Sequence, residues 1–131
     1  MEKEMFEANK NVRGRKLTST NSINKTNLER NCPIAFTISV IGGRWKLSIL
    51  ALLHDYGALR YSQIRSNLSG ISERVLTLQL KELEQFNVIS RSIYANVPLR
   101  VEYSLTEKGR SLAPILIEMT SWGKKQLDVD L

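Results

Sequence analysis

The chain has 131 residues, 19 of them lysine or arginine and 13 aspartate or glutamate, which leaves a formal charge of +6. With 42% hydrophobic and 24% charged residues, it has the size and composition of one globular domain, so full disorder and a fibrous chain are excluded, and the positive excess favours a polyanionic partner. One cysteine and one histidine rule out an intramolecular disulfide and a four-ligand Cys/His zinc site, so neither a metal nor a cofactor is expected.

Residues 1–30 are rich in Lys, Glu, Asn, Ser and Thr, and their few apolar residues follow no helical or strand period. They predict a flexible polar arm, whose basic Lys10, Arg13, Arg15 and Lys16 either touch phosphates or are simply solvated. The domain is expected over 31–131. Pro33 suits the first position of a helix, and Ile34, Ile38 and Ile41 give it one apolar face before Gly42-Gly43 ends it. A second helix runs from Arg44 through His54. Its Trp45, Ile49, Leu52 and Leu53, widened by Leu47 and Leu50, predict a mostly buried element ending at Tyr56-Gly57.

Arg60-Tyr61 is too short to classify. Ser62 is the expected cap of a short helix reaching about Leu68, with Ile64 and Leu68 inward. Ser69-Gly70-Ile71 then makes a tight turn, and Ser72 caps an amphipathic helix from Glu73 to Phe86 that turns Leu76, Leu80 and Leu83 to the core. After Asn87 the period shifts toward 2. Val88–Ala95 and Leu99–Leu105, separated by Asn96-Val97-Pro98, predict an antiparallel hairpin. Thr106 caps a last helical region, which Pro114 should break near Ala113.

No run approaches the roughly 18 consecutive apolar residues of a membrane span. The opening Glu2, Lys3 and Glu4 are not a basic-then-apolar signal, so a cytoplasmic protein with no membrane partner is expected. GxSxG, HExxH, Walker A and GxGxxG patterns are all missing, and no catalytic residue is assigned. The order of elements is that of a winged helix-turn-helix: a mainly α fold with a small β-hairpin.

The run Ile41-Gly42-Gly43-Arg44-Trp45-Lys46-Leu47 is followed by Gly70-Ile71-Ser72 and by Leu76-Thr77-Leu78-Gln79-Leu80-Lys81-Glu82-Leu83-Glu84. Val97-Pro98-Leu99-Arg100-Val101-Glu102-Tyr103-Ser104-Leu105-Thr106-Glu107-Lys108-Gly109 and Trp122-Gly123 come next. In this order and spacing, over residues 32 to about 123, the sequence resembles the HxlR-type transcriptional regulators. The resemblance implies a DNA-binding regulator that forms a homodimer through its N- and C-terminal helices. Ile34, Ile38, Leu112, Ile115, Leu116, Met119 and Trp122 are the residues expected at that interface; those of the last helical region supply more apolar surface than a small core obviously consumes, and the alternative is that this region folds back onto its own subunit. A twofold dimer would present two reading helices about 34 Å apart to an imperfect palindrome.

A major groove about 12 Å wide admits one helix that buries one stripe and offers polar, basic residues on the other side. In the helix over 72–86 those residues are Ser72, Arg74, Thr77, Leu78 and Lys81. Arg74 suits a guanine, and Thr77 a thymine methyl or a phosphate. Glu73 opposes phosphate unless it accepts from a cytosine amine, and Leu78 is apolar where the family often has a polar residue. Arg60, Gln63 and Arg65, with Tyr61, are placed to grip the DNA backbone. Arg100, just past the Pro98 turn, is expected to reach a minor groove from the wing; Arg91 either joins it or solvates its strand. Glu102 and Tyr103 are assigned to the wing's structure.

Cys32 precedes Pro33 at the expected start of the first helix, where the helix dipole favours a thiolate. The Cys-Pro pair also looks like the family's pattern, and some members sense electrophiles or oxidants through that thiol. Cys32 is therefore either a redox sensor or a small buried apolar residue. The expected function is a sequence-specific repressor binding double-stranded DNA, its small-molecule or oxidant inducer left open. The alternatives are a thiol switch through Cys32 and a winged-helix protein-interaction module.

Overall fold

The structure, a computed structural model, describes residues 31–95 and 97–127. The arm expected over 1–30 lies outside the described residues. The chain divides into two units, Met1–Gly42 and Gly43–Leu131.

In the first unit, α1 spans Pro33–Ile41, with Cys32 as N-cap, Pro33 in the first turn and Gly42 as C-cap, its N–H donating to the Ile38 carbonyl at 2.7 Å. The boundaries agree with the sequence, and the apolar face expected from Ile34, Ile38 and Ile41 is divided. Val40 and Ile41 are buried, whereas Ile34, Phe36 and Ile38 are exposed. A stripe that satisfies helical periodicity is thus turned to solvent over most of its length, as an interface would be.

In the second unit, α2 (Lys46–Tyr56) places Ile49, Leu50 and Leu53 in the core and ends at Gly57. Helix α3 (Tyr61–Asn67) and helix α4 (Glu73–Gln85) are joined by the tight turn at Gly70, whose φ of 85° lies where a Cβ would strain the backbone. Ile64 from α3, and Leu76, Leu80 and Leu83 from α4, are almost fully buried with Val88 and Ile89. Each such side chain contributes about 1.5–3 kcal/mol relative to leaving it in water, and together they fix the side of α4 that remains outside. Ser72 caps α4 as expected, accepting from Val75 N–H at 3.1 Å. Ser62 does not cap α3. It lies inside the first turn, and the cap is at Arg60, whose backbone N–H donates to Gln63 Oε1 at 2.8 Å; a glutamine at the third helical position satisfies an orphan donor as well as an N-terminal serine would.

The hairpin consists of β2 (Ile89–Tyr94) and β3 (Arg100–Leu105), paired antiparallel from Ile89↔Leu105 to Tyr94↔Arg100. It is part of a three-stranded sheet, because the residues just before α3 form β1 (Leu59–Arg60) on the other edge of β3, in the order β1-β3-β2. Two residues carry no period of their own, and only the free edge of β3 makes them a strand. The last helical region is broken as expected: α5 (Glu107–Arg110) and α6 (Ala113–Leu127) flank Ser111-Leu112, and Pro114 falls in the first turn of α6, where a missing N–H costs nothing. Thr106 caps α5, accepting from Gly109 N–H at 3.0 Å while donating to the Asn87 carbonyl at 2.6 Å. Gly109 is required by space, since a Cβ there would collide with the Val88 carbonyl.

Candidate nucleic-acid interface

The buried stripe of α4 dictates what its far side presents. With Leu76, Leu80 and Leu83 inward, the helical repeat of 3.6 residues places Arg74, Leu78 and Lys81 outward and Glu73 and Thr77 on the flank nearer α3. All five are exposed. Among the described residues neither Arg74 nor Lys81 is held in an ion pair, so both charges are available to a polyanion.

The N-terminal end of α4 is fastened to α3 at three points. Arg65 Nη1 lies 2.9 Å from Glu73 Oε1. The Tyr61 hydroxyl donates to the Glu73 carbonyl at 3.0 Å and lies 3.2 Å from Thr77 Oγ1. With its single proton already used, Tyr61 is the acceptor in this last contact and Thr77 the donor. The side chain expected to repel phosphate, Glu73, therefore carries its own counter-charge. Arg65 is half engaged by that pair, Arg60 keeps an exposed guanidinium, and Gln63 is occupied as the cap of α3. An open groove beside Arg65 is lined by Ser62, Ser66, Ser69 and Gly70 together with the apolar Leu68 and Ile71, and the Ser66 hydroxyl donates to the Gln63 carbonyl at 3.0 Å. Ser66 and Ser69 escaped sequence reasoning because isolated serines in a short helix and turn have no periodic signature; their only sequence signal is proximity to Arg65.

On the hairpin, Arg100 is not a free charge at the tip. It pairs with Tyr94 in the last register position before the turn; its guanidinium carbon lies 4.5 Å from the Tyr94 ring centroid, and Nε lies 3.4 Å from Glu102 Oε2. Nε is screened from solvent and has no hydrogen-bond partner among the described residues. The stacking fixes the guanidinium plane and costs the side chain its freedom in advance. The tip itself exposes the apolar Val97 and Leu99, and Arg91 is exposed on β2 opposite Tyr103.

A further residue missed from sequence is Lys46, which the apolar pattern of α2 concealed. It is only 8% exposed, its Nζ is 3.2 Å from Glu82 Oε2 and 5.9 Å from the Phe86 ring centroid. The contact ties α2 to the C-terminal half of α4, as Arg65 and Tyr61 tie α3 to the other end. Phe86 also accepts from Lys108 Nζ at its carbonyl, at 3.0 Å. Helix α4 is thus held at both ends.

The residues expected at a dimer interface are described separately in the two units. In the first, Ile34 and Ile38 are exposed. In the second, Ile115, Met119 and Trp122 are exposed, Leu112 and Leu116 are half-buried, and α6 has no buried residue. Cys32 is buried at the N-cap of α1. No group of three or more His, Cys, Asp or Glu side chains among the described residues forms a metal site, and no single helix there is long and apolar enough to cross a membrane.

The sequence pattern of the HxlR-like helix-turn-helix matches residues 40–130. The chain is 45% identical over 101 residues to YybR of Bacillus subtilis, described as an HTH-type transcriptional regulator; the match covers 77% of this chain and 80% of YybR. Among solved structures, the redox regulator HypR in its oxidised form superposes with a TM-score of 0.69 at 44% identity, covering 76% of this chain and 100% of HypR. The reduced form of the transcriptional regulator YodB from B. subtilis superposes with a TM-score of 0.64 at 36% identity, covering 72% of this chain and 92% of YodB.

Proposed function

Because the chain belongs to the HxlR-like helix-turn-helix family of transcriptional regulators, we propose that it is a dimeric, cytoplasmic, non-enzymatic repressor that binds an imperfect palindrome in double-stranded DNA. The observation that carries this reading is the outward face of α4. Its Arg74 and Lys81 are exposed and unpaired among the described residues, while the flanking carboxylate, Glu73, is neutralised by Arg65. A face built in this way suits the major groove, with Arg74 as the base-reading fork. Arg60, Arg65 and the neighbouring serine hydroxyls grip the flanking phosphates. Arg91 and the stacked Arg100 belong to the wing, and the exposed apolar residues of α1 and α6 meet those of a second copy.

Selection of bound duplexes from a random pool, followed by titration at rising salt, tests it. An enriched palindrome is expected, with log affinity falling against log salt by about 0.9 for every neutralised phosphate. Absence of enrichment together with a salt-independent response would favour a protein-interaction module.

A second reading is favoured by the likeness to the redox regulator HypR. Cys32 would then switch DNA binding by forming an intersubunit disulfide or a small-molecule adduct. Its burial at the start of α1 means that the thiol must become accessible before it reacts. Diamide treatment of the wild type beside Cys32→Ser decides it: a switch requires that only the wild type lose or gain operator binding, and an unchanged wild type removes it.

A further inference from the structure

Leu78 is the one apolar residue on the outward face of α4. It is 52% exposed and points away from the buried Leu76, Leu80 and Leu83. It shares its face with Arg74, four residues before it, and Lys81, three after it; these are the spacings that bring side chains together on a helix. The two cations bring this face against a polyanion, and Leu78 then meets whatever lies between the phosphates. At the base edges of a major groove the hydrogen-bonding groups have nothing to gain from a leucine, and the single apolar group on offer is the C5-methyl of thymine. Glu73 does not compete for the same space, since its carboxylate is drawn toward Arg65 on the α3 side.

We propose, resting on the DNA-binding reading above, that Leu78 is a specificity-determining residue that packs on a thymine methyl group in each half-site. The loss of water-exposed apolar surface from both partners supplies the discrimination, with no hydrogen bond involved.

The test uses the full chain and the duplex it enriches from a random pool. Each thymine is replaced in turn by deoxyuridine, which removes the methyl group and leaves every hydrogen-bonding group in place. At one thymine per half-site, the replacement should weaken wild-type binding about fourfold, the effect of one buried methyl-sized group. Leu78→Gln, at an exposed position that leaves folding intact, should bind both duplexes equally there and respond to the other thymines as the wild type does. The assignment is overturned, with the DNA-binding reading still standing, if no replacement weakens the wild type or if Leu78→Gln keeps the same sensitivity. If no duplex is enriched at all, the DNA-binding reading fails, and the assignment fails with it.

Discussion

Arg65 Nη1 and Glu73 Oε1 meet at 2.9 Å across the turn that joins α3 to α4. Both side chains are substantially exposed, so the pair adds only about 0.2–1 kcal/mol to folding. Its effect is on charge: it places a cation beside the one carboxylate that would otherwise face phosphate. Arg65→Ala should weaken binding to all duplexes alike and flatten the salt slope by about 1, as loss of a phosphate-neutralising cation does. Glu73→Gln, with Arg65 released toward the backbone, should strengthen non-specific binding. Fluorescence anisotropy with an operator and a scrambled duplex at two salt concentrations checks both signs; a loss confined to the operator in Arg65→Ala would contradict this account.

Lys46 and Glu82 tie α2 to α4 at 3.2 Å, with Lys46 buried and Glu82 partly exposed. Glu82→Ala strands a buried ammonium and should cost about 1–3 kcal/mol of stability. Lys46→Met keeps the apolar stem, removes the charge that needed a partner, and should cost less. Urea unfolding of the two variants measures the order, and equal losses would show that packing rather than charge governs this contact.

The exposed apolar residues of α6 and α1 carry the prediction of a dimer. Trp122 is 68% exposed and Ile38 55%, and a charge at either place would have to be buried without a partner in an interface between copies. Trp122→Glu and Ile38→Glu should convert a dimer into a folded monomer in analytical ultracentrifugation, with far-ultraviolet circular dichroism unchanged. A monomeric wild type at micromolar concentration would contradict the proposed assembly.

The helices were legible in the sequence wherever a cap and a period coincided. Ser72 followed by Leu76, Leu80 and Leu83 defined α4 to within a residue, and Pro33 with Gly42 bounded α1. For α1, periodicity shows only that Ile34 and Ile38 share a side; that this side meets another chain rather than a core was an expectation of the resemblance, and periodicity did not show that Ile41 would be buried while they are exposed. Strand β1 was invisible because its pairing with β3 is the whole reason it is a strand. At the candidate site, the sequence indicated which residues lie on α4 but not the partners of Glu73, Arg100 and Lys46. The partners of Glu73 and Lys46 are brought near by the fold, 8 and 36 residues away, and no local pattern encodes them; Glu102, two residues from Arg100 on the same face of β3, was within reach of the strand period, but the stacking on Tyr94 across the hairpin was not.

Arg74 tests the central claim, that α4 reads DNA with the side opposite its buried leucines, most directly. Binding of Arg74→Ala to the selected operator and to its single-base variants should show lost discrimination at one base pair per half-site, worth about 1–3 kcal/mol, with preferences elsewhere intact. Affinity and preference both equal to the wild type at every position would mean that this side of α4 does not face the duplex.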